Sequence, residues 1–438
     1  MKLVGLILFF LTFFSKLQSE GIYNAKSFQL KNGMKVVVVE NKRAPVVSQM
    51  IWYNFGSGVE EKGKSGLAHF MEHLMFKGTK KFPDNYYSNF ISRIGGSENA
   101  FTSYDYTAYY QIFPKYELEK IMQMEADRMV NLTLTEENVE IEKKVILEER
   151  FQRVESDPSA KLDESMRSIL FPNHYYGTPI IGWRHEIENL TFTDVLKFYK
   201  KHYIPNNAVL VLSGDVEFEE VKKLSKKYFG RHKKGKVSFG METRDPLIET
   251  SIKVEMSHPT VKQKIWKKFY RVDSYKKSIK KGLALDIGLK ILASGSTSLL
   301  YESLVNKKKI FSAVGGYYQG LTKGEGNVYF YAIPNEEINL DEVDKIINDE
   351  MKIILNQGIS EKRFEIEKKK YIFDSIYSRD GILNPAQSIG ESLTIGFSLD
   401  DIENLNKKIN EITIFDVKDA LKSFQKNKNF IIGGLKSW

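Results

Sequence analysis

The chain has 438 residues, 42% of them hydrophobic and 28% charged, which predicts a globular protein of two domains of roughly 200 residues each. Its net charge of +9 comes from lysines scattered over many predicted helices, which favours a solvated surface over a nucleic-acid or membrane patch. No cysteine is present, which excludes disulfides and thiolate chemistry and leaves histidine and carboxylate groups to hold any metal ion.

The first 20 residues have the pattern of an export signal. Lys2 precedes an apolar run over residues 3–14, which is too short to span a bilayer comfortably and is not the Arg-rich, Ser-rich segment of an organelle transit peptide. A signal peptide over residues 1–20 is therefore predicted. A retained N-terminal anchor is the alternative, because Leu17 and Ser19 make an imperfect cleavage site. We expect an exported protein, periplasmic or secreted, without stable membrane insertion.

The next part of the chain mixes strand and helix patterns. Residues 35–55, KVVVVENKRAPVVSQMIWYNF, are rich in β-branched side chains with a turn at 41–45, and residues 97–114, SENAFTSYDYTAYYQIFP, alternate like a second hairpin. Residues 116–132 and 135–154 have helical periodicity. Hairpins interleaved with helices that pack on one face of a sheet predict an α+β domain with a mostly antiparallel sheet.

The chain also repeats itself at low similarity. Three segments of the first half resemble three of the second: SQMIWYNFGSGVE and KQKIWKKFYRVDS, GLAHFMEHLMFKGT and GLALDIGLKILASGS, and ENAFTSYDYTAYYQIFP and EGNVYFYAIP. Residues 190–216 similarly resemble residues 412–435. We therefore predict two homologous domains, at 21–235 and 252–438, joined by a polar linker at 236–251. When the copies are aligned at GLA, three polar residues of the first copy face Leu285, Gly288 and Leu289 of the second.

Those polar residues are His69, Glu72 and His73, in a chain with 7 histidines. Histidines four residues apart lie on one face of a helix and can direct two imidazoles at one ion. Glu72 is close enough to reach a water on that ion without binding it. Two histidines and a carboxylate suit zinc, and the order inverts the H-E-x-x-H zinc signature. The alternative, a pair of ordinary core histidines, is weakened because the second copy packs with leucine there.

A third protein ligand must lie elsewhere in the chain. Glu142 and Glu149 are seven residues apart, a separation that drifts only about 20° around a helix, so both look out on one face. Glu148 points roughly 100° away. By themselves, these acids would equally suit a solvated charged helix. The other five histidines, which lack ligand spacing, are assigned no role: His174, His185, His202, His232 and His258.

HFMEH at 69–73, with Glu149 76 residues beyond the second histidine and an acid seven earlier, resembles the pitrilysin or insulinase family of zinc peptidases, the inverzincins. The likeness extends over nearly the whole mature chain through GGSENAFTSYDYT and YIPNNAVLVLSGDV. The chain also has the length of short bacterial members related to mitochondrial processing peptidase subunits. The resemblance implies one zinc ion per chain, held by His69, His73 and Glu149. It further implies that Glu72 is the general base and that Glu142 orients the site.

The same resemblance implies how substrate binds. Asn99 and Ala100 would lie on an edge strand to which the substrate backbone adds as an extra strand. Zinc would polarise the scissile carbonyl while Glu72 takes a proton from water and passes it to the leaving amine. The implied activity is that of a zinc-dependent endopeptidase acting on extended peptides or small unfolded proteins.

One segment departs from the family pattern. Members that work alone or as homodimers usually have, in the C-terminal half, an Arg and a Tyr seven residues apart that contact substrate, and the matching positions in LLYESLVNKKKIFSAV are Val305 and Ser312. We therefore expect the zinc-bearing subunit of a heterodimer, with a homologous partner that supplies Arg and Tyr. A homodimer, or a small misalignment, is the alternative. The rival functions are a non-catalytic assembly subunit and an organellar presequence-processing subunit.

Overall fold

The computed structural model describes residues 21–237 and 243–438. The predicted signal peptide at 1–20 lies outside the described residues, as does part of the predicted linker. Within the described ranges, no helix combines the length and apolar character needed to cross a membrane.

Two sheets organise the described chain. The first contains β1 (Lys26–Gln29), β2 (Lys35–Glu40), β3 (Val46–Tyr53), β4 (Ser97–Thr102), β5 (Thr107–Pro114) and β6 (Ala208–Gly214). The second contains β7 (Lys253–Ser257), β8 (Ile265–Val272), β9 (Phe311–Gln319), β10 (Gly326–Pro334) and β11 (Phe430–Lys436).

Helices connect the strands in both halves. In the first half they are α1 (Leu67–Leu74), α2 (Tyr86–Arg93), α3 (Leu118–Asn131), α4 (Glu136–Arg150), α5 (Pro158–Leu170), α6 (Arg184–Asn189), α7 (Phe192–His202) and α8 (Phe218–Tyr228). In the second half they are α9 (Ile279–Ala293), α10 (Leu299–Tyr301), α11 (Leu340–Gln357), α12 (Glu361–Ser378), α13 (Asn384–Ile395), α14 (Leu399–Glu403), α15 (Leu405–Asn410) and α16 (Ile414–Gln425).

The first predicted hairpin is wrong, whereas the second is confirmed. β4 and β5 pair as an antiparallel hairpin, but β2 and β3 do not pair, because β6 lies between them. β6 runs parallel to β2 and antiparallel to β3. All seven residues of β6, AVLVLSG, are buried. A strand buried on both faces needs a central position in the sheet, and that position separates two strands that are neighbours in sequence.

The two sheets share one topology. The second has the order β7-β11-β8-β10-β9, and the first has β2-β6-β3-β5-β4 with β1 added at the outer edge. In both, the last strand in sequence runs parallel to the strand at one side and antiparallel to the strand at the other. Each sheet packs its own helices on one face over a large apolar core. The predicted α+β class with two homologous domains is confirmed.

The halves also exchange one helix each, which the sequence did not predict. On the face away from its own core, the second sheet packs Phe269, Ile431 and Leu435 against α5 of the first half. In return, α13 of the second half packs on β3 and β6 of the first sheet, in a cluster that includes Trp52. Each domain therefore covers one sheet face of the other domain. The cavity beside α1 is lined by residues from both halves.

Candidate metal centre and its cavity

Helix α1 carries the polar motif on one side and core residues on the other. Its buried apolar side chains follow the helical spacing i, i+3, i+4 and i+7: Leu67, Phe70, Met71 and Leu74. The helix starts after Gly66, whose φ of 87° is the left-handed region that favours glycine. A Cβ there would lie 2.5 Å from the Ile181 carbonyl oxygen. The half-buried Glu60 carboxylate accepts hydrogen bonds from the Gly66 and Ala68 amides, at 3.1 and 2.7 Å, and so fixes the helix start.

His69, His73 and Glu149 converge at one point between α1 and α4. Their ligand atoms all lie within 4.8 Å of one another. Nε2 of His69 is 3.6 Å and Nε2 of His73 is 3.3 Å from the same oxygen, Oε2 of Glu149. Ligand atoms about 2.0–2.1 Å from a tetrahedral zinc ion stand roughly 3.3–3.4 Å apart. These residues therefore fit zinc by donor type and by spacing.

Glu142 and Glu149 both face this point from α4, as their separation of seven residues predicted. Glu142 Oε1 lies 2.9 Å from Nδ1 of His73, on the far side of the ring from Glu149. Its other oxygen accepts from Lys77 at 2.8 Å, and Glu149 Oε1 pairs with Arg153 at 3.0 Å. Hydrogen bonds of this kind hold metal-ligating groups in orientation. Glu148 is exposed and accepts from Gln152.

Sequence reasoning missed Lys77 and Arg153. Each stands four residues after a predicted site residue, Lys77 after His73 and Arg153 after Glu149. That spacing was the available signal, because it places the cation on the same helix face. The chain widens into a π-helical turn over Phe151–Glu155 directly after α4, so α-helical spacing alone could not fix the position of Arg153.

The two histidines of this site have opposite pKa shifts. Burial, followed by the charge on His73, lowers the pKa of His69 to about 4. Burial also acts to lower the pKa of His73, but hydrogen bonds with Glu142 and Glu149 outweigh it and raise that pKa to about 9. The hydrogen bond with His73 lowers the pKa of Glu142 to about 2. Without metal at neutral pH, His73 is a cation between two carboxylates.

Glu72 faces the same cavity but is not one of the three convergent ligands. Burial raises the pKa of its carboxyl group, although a hydrogen bond with the Thr102 side chain opposes the shift. Its Oε2 atom is buried and has no hydrogen-bond partner among the described residues. A buried carboxyl oxygen without a partner is costly unless a ligand or water uses it.

Asn99 and Ala100 lie on β4, at the edge of the first sheet. β4 pairs with β5 on one side, and no described strand pairs with its other side. The Ala100 amide donates to the side-chain oxygen of its neighbour Asn99 at 2.8 Å, so this amide is not part of the ladder with β5. β4 therefore has a free edge to which an extended chain can add.

A cavity of about 730 Å³ joins these parts. Its lining includes His69, Glu72, His73 and Glu149, residues 99–102 of β4, and Asp163, Glu164 and Arg167 of α5. The second domain contributes Phe269, Tyr317 and Tyr329. Val305 and Ser312 are not among its lining residues. Val305 packs against the core of the second domain, and the Ser312 hydroxyl donates to the Ile333 carbonyl at 3.1 Å.

The second half also has polar side chains on the helix that follows its GLA sequence. α9 packs on α12 as α1 packs on α4, and Asp286 and Lys290 of α9 line a cavity with Asp374 of α12. Leu285 and Leu289 pack into the apolar core instead. Asp286 and Lys290 have the same i, i+4 spacing as His69 and His73, one position beyond the predicted alignment at GLA.

Comparisons with known proteins show which family the chain resembles. Residues 35–183 match the insulinase family (peptidase family M16), and residues 189–371 match the peptidase M16 inactive domain. The chain is 32% identical over 327 residues to zinc protease PqqE of Helicobacter pylori, covering 74% of this chain and 72% of that one. It is 31% identical over 201 residues to a probable mitochondrial-processing peptidase subunit beta of Schizosaccharomyces pombe, covering 46% and 44%.

Solved structures have the same fold. A protease from Helicobacter pylori superposes with a TM-score of 0.87 at 27% identity and covers 94% of this chain and 99% of that one. The periplasmic protease PqqL from Escherichia coli superposes with a TM-score of 0.78 at 18% identity and covers 94% of this chain but 47% of that one. The chain is similar to PqqE over most of both chains, and both of its domains match family models. It therefore belongs to the insulinase family of peptidases, family M16.

Proposed function

We propose that this chain is a zinc-dependent endopeptidase that hydrolyses extended peptides or small unfolded proteins. One zinc ion would be held by His69, His73 and Glu149, with Glu72 as general base. The observation that carries the proposal is the convergence of two imidazole Nε2 atoms on one oxygen of Glu149, at 3.6 and 3.3 Å. The relatives named zinc proteases support zinc as the metal.

Glu72 has the properties that the proton transfer requires. When bound, zinc polarises the scissile carbonyl and acidifies water. The Oε2 atom of Glu72 has no partner among the described residues and can accept a proton from water. Burial raises the pKa of this carboxyl group towards the range in which it can release the proton again to the leaving amine.

Substrate would bind as an added strand on β4. The Ala100 amide, which Asn99 satisfies at 2.8 Å in the free chain, would then donate to a substrate carbonyl. Recognition through backbone hydrogen bonds tolerates many sequences but requires an extended chain. This supports unfolded polypeptide as the substrate class.

We propose further that a homologous subunit completes the active site. Val305 and Ser312, at the positions of the family's Arg and Tyr, are absent from the lining of the zinc cavity, and a second copy of this chain would bring the same two residues. The fold of this chain matches about half of PqqL, which supports a two-subunit arrangement. The N-terminal pattern supports export, and N-terminal sequencing of the mature protein tests it.

The test of the peptidase proposal is hydrolysis of a quenched fluorogenic peptide library by the zinc-loaded protein, with and without co-purified subunits. Glu72→Gln should lower kcat/KM by roughly 100-fold or more, because it removes the general base, while one zinc per chain remains bound. Glu148→Gln is the matched control, since Glu148 is an exposed acid that precedes Glu149 on α4. Hydrolysis by Glu72→Gln at the rate of an active wild type, measured with the same co-purified subunits, would refute the proposal.

The partner proposal has a separate test. A tagged chain is purified from its native source, and the co-purifying proteins are identified by mass spectrometry. We expect a second family member that has Arg and Tyr seven residues apart in its C-terminal half, and mixing the two should restore hydrolysis. Ordinary peptidase activity of the chain alone would contradict the partner proposal and leave the peptidase proposal intact.

A further inference from the structure

Three aromatic side chains of the second domain form a row that faces the zinc cavity. Tyr317 of β9 pairs directly with Tyr329 of β10, and Tyr329 pairs directly with Phe269 of β8. The ring centroids are 5.0 Å apart for the two tyrosines and 4.8 Å apart for Tyr329 and Phe269. We call these three residues the aromatic row.

The row extends from the core to the open cavity. Phe269 is 3% exposed under the apolar side chains of α5, whereas Tyr317, on the edge strand, is 43% exposed. The neighbouring row on the same sheet face has different chemistry. There, the Lys267 ammonium donates a hydrogen bond to Asp163 of α5, and the Tyr331 ring lies over Gly315. Of these two rows, only the aromatic row belongs to the described lining of the cavity that also contains His69 and Glu72.

The charges in the cavity argue against a site for a cationic side chain. Asp163 is paired with Lys267, and Glu164 with Arg150 at 2.9 Å. Glu149 is paired with Arg153. Of the acids in the described lining, Glu72 alone lacks a cation partner, and its proposed role is catalytic. Arg167, which faces the Tyr104 ring, adds positive charge to the wall.

From these contacts we infer that the aromatic row is a specificity site, which binds an aromatic or large aliphatic substrate side chain near the scissile bond. Exposed rings in a cavity of this size bury apolar side chains favourably and add stacking for aromatic ones. The inference rests on the proposed peptidase function, because it assigns the side-chain preference of the same cavity.

The test compares peptides that differ in one position next to the cleavage site, with Phe, Leu, Ala, Lys or Asp there. The zinc-loaded protein, with its co-purified subunits, should cleave the Phe and Leu peptides with kcat/KM at least 10-fold above that of the Ala peptide. Tyr317→Ala should reduce this ratio to within about 3-fold, and Tyr317→Phe, which keeps the ring, should retain it. Tyr331→Ala, in the neighbouring row, is the matched control and should retain it too.

A binding measurement separates this inference from the peptidase proposal. The same peptides are titrated against zinc-loaded Glu72→Gln protein. Preferential binding of Phe and Leu peptides that Tyr317→Ala abolishes would support the aromatic row even if wild type cleaved nothing. Cleavage with no such preference, a preference for Lys, or a preference that survives Tyr317→Ala would overturn the aromatic row and leave the peptidase proposal standing.

Discussion

His73 determines the charge balance of the proposed metal centre. One of its nitrogens faces Glu142 at 2.9 Å and the other faces Glu149 at 3.3 Å. The first contact selects the nitrogen that remains for a metal ion. Glu142 can hold this orientation because Lys77 anchors its second oxygen at 2.8 Å. In the proposed site, Glu142 would therefore orient His73 without itself binding the metal ion.

Glu142→Gln should weaken zinc binding by roughly 10- to 100-fold, because the amide is a poorer acceptor for the His73 N–H and leaves Lys77 without its ion pair. Competition with a zinc chelator measures the affinity. Glu140→Gln is the control on the same helix, since Glu140 is exposed and, among the described residues, its ion pair is with Lys143. Equal affinities of the two variants would contradict an orienting role for Glu142.

Zinc binding should also release about one proton at pH 6.5. In the metal-free site, the pKa of His73 is raised to about 9 and that of His69 is lowered to about 4, so His73 alone of the two is protonated. Zinc requires the neutral ring, and its affinity should therefore rise as the pH increases from 6.5 towards 9. Calorimetry in buffers of different ionisation enthalpy counts the proton. A binding enthalpy independent of buffer would contradict the charge assignment.

At the scale of elements, the start of α1 is fixed by close backbone packing. Gly66 and Gly63 have nearly equal φ values, 87° and 85°, but a Cβ on Gly66 would meet Ile181 O at 2.5 Å and a Cβ on Gly63 would meet nothing within 4 Å. Gly63→Ala should cost about 1–2 kcal/mol from its left-handed backbone alone. Gly66→Ala should cost roughly 3 kcal/mol or more and lower zinc affinity. Urea unfolding and chelator competition measure both; equal effects would mean that the contact is unimportant.

How far the sequence predicts each element depends on how local its determinants are. The zinc-motif helix, the β4–β5 hairpin and the shared face of Glu142 and Glu149 follow from spacing within one element. The partners of β2 and β3 do not, because β6 enters between them from more than 150 residues later in the chain. The aromatic row was equally inaccessible, since its three residues meet only through strand register.

At the scale of the whole molecule, the exchange of α5 and α13 couples the two domains. We expect both domains to unfold in a single transition, because each sheet has one face covered by a helix of the other half. Hydrogen exchange followed by mass spectrometry across a urea series tests this with peptides from both domains. Separate transitions would contradict the coupling.

Gly390 of α13 is the point of closest approach in this exchange. A Cβ there would lie 2.0 Å from Nε1 of the buried Trp52. Gly390→Ala should destabilise both domains together by about 1–3 kcal/mol, despite the higher helix propensity of alanine. Gln387→Ala, at an exposed position of the same helix, is the control. Loss of stability confined to one domain would argue that the halves fold independently.

The measurement that tests the central claim most directly is anomalous diffraction at the zinc absorption edge from crystals of the zinc-loaded protein. The account predicts one anomalous peak per chain, about 2.0–2.2 Å from Nε2 of His69, Nε2 of His73 and a carboxylate oxygen of Glu149, with Glu72 beyond ligand distance. A peak elsewhere, or one in which Glu72 replaces Glu149 as ligand, would contradict the proposed active site.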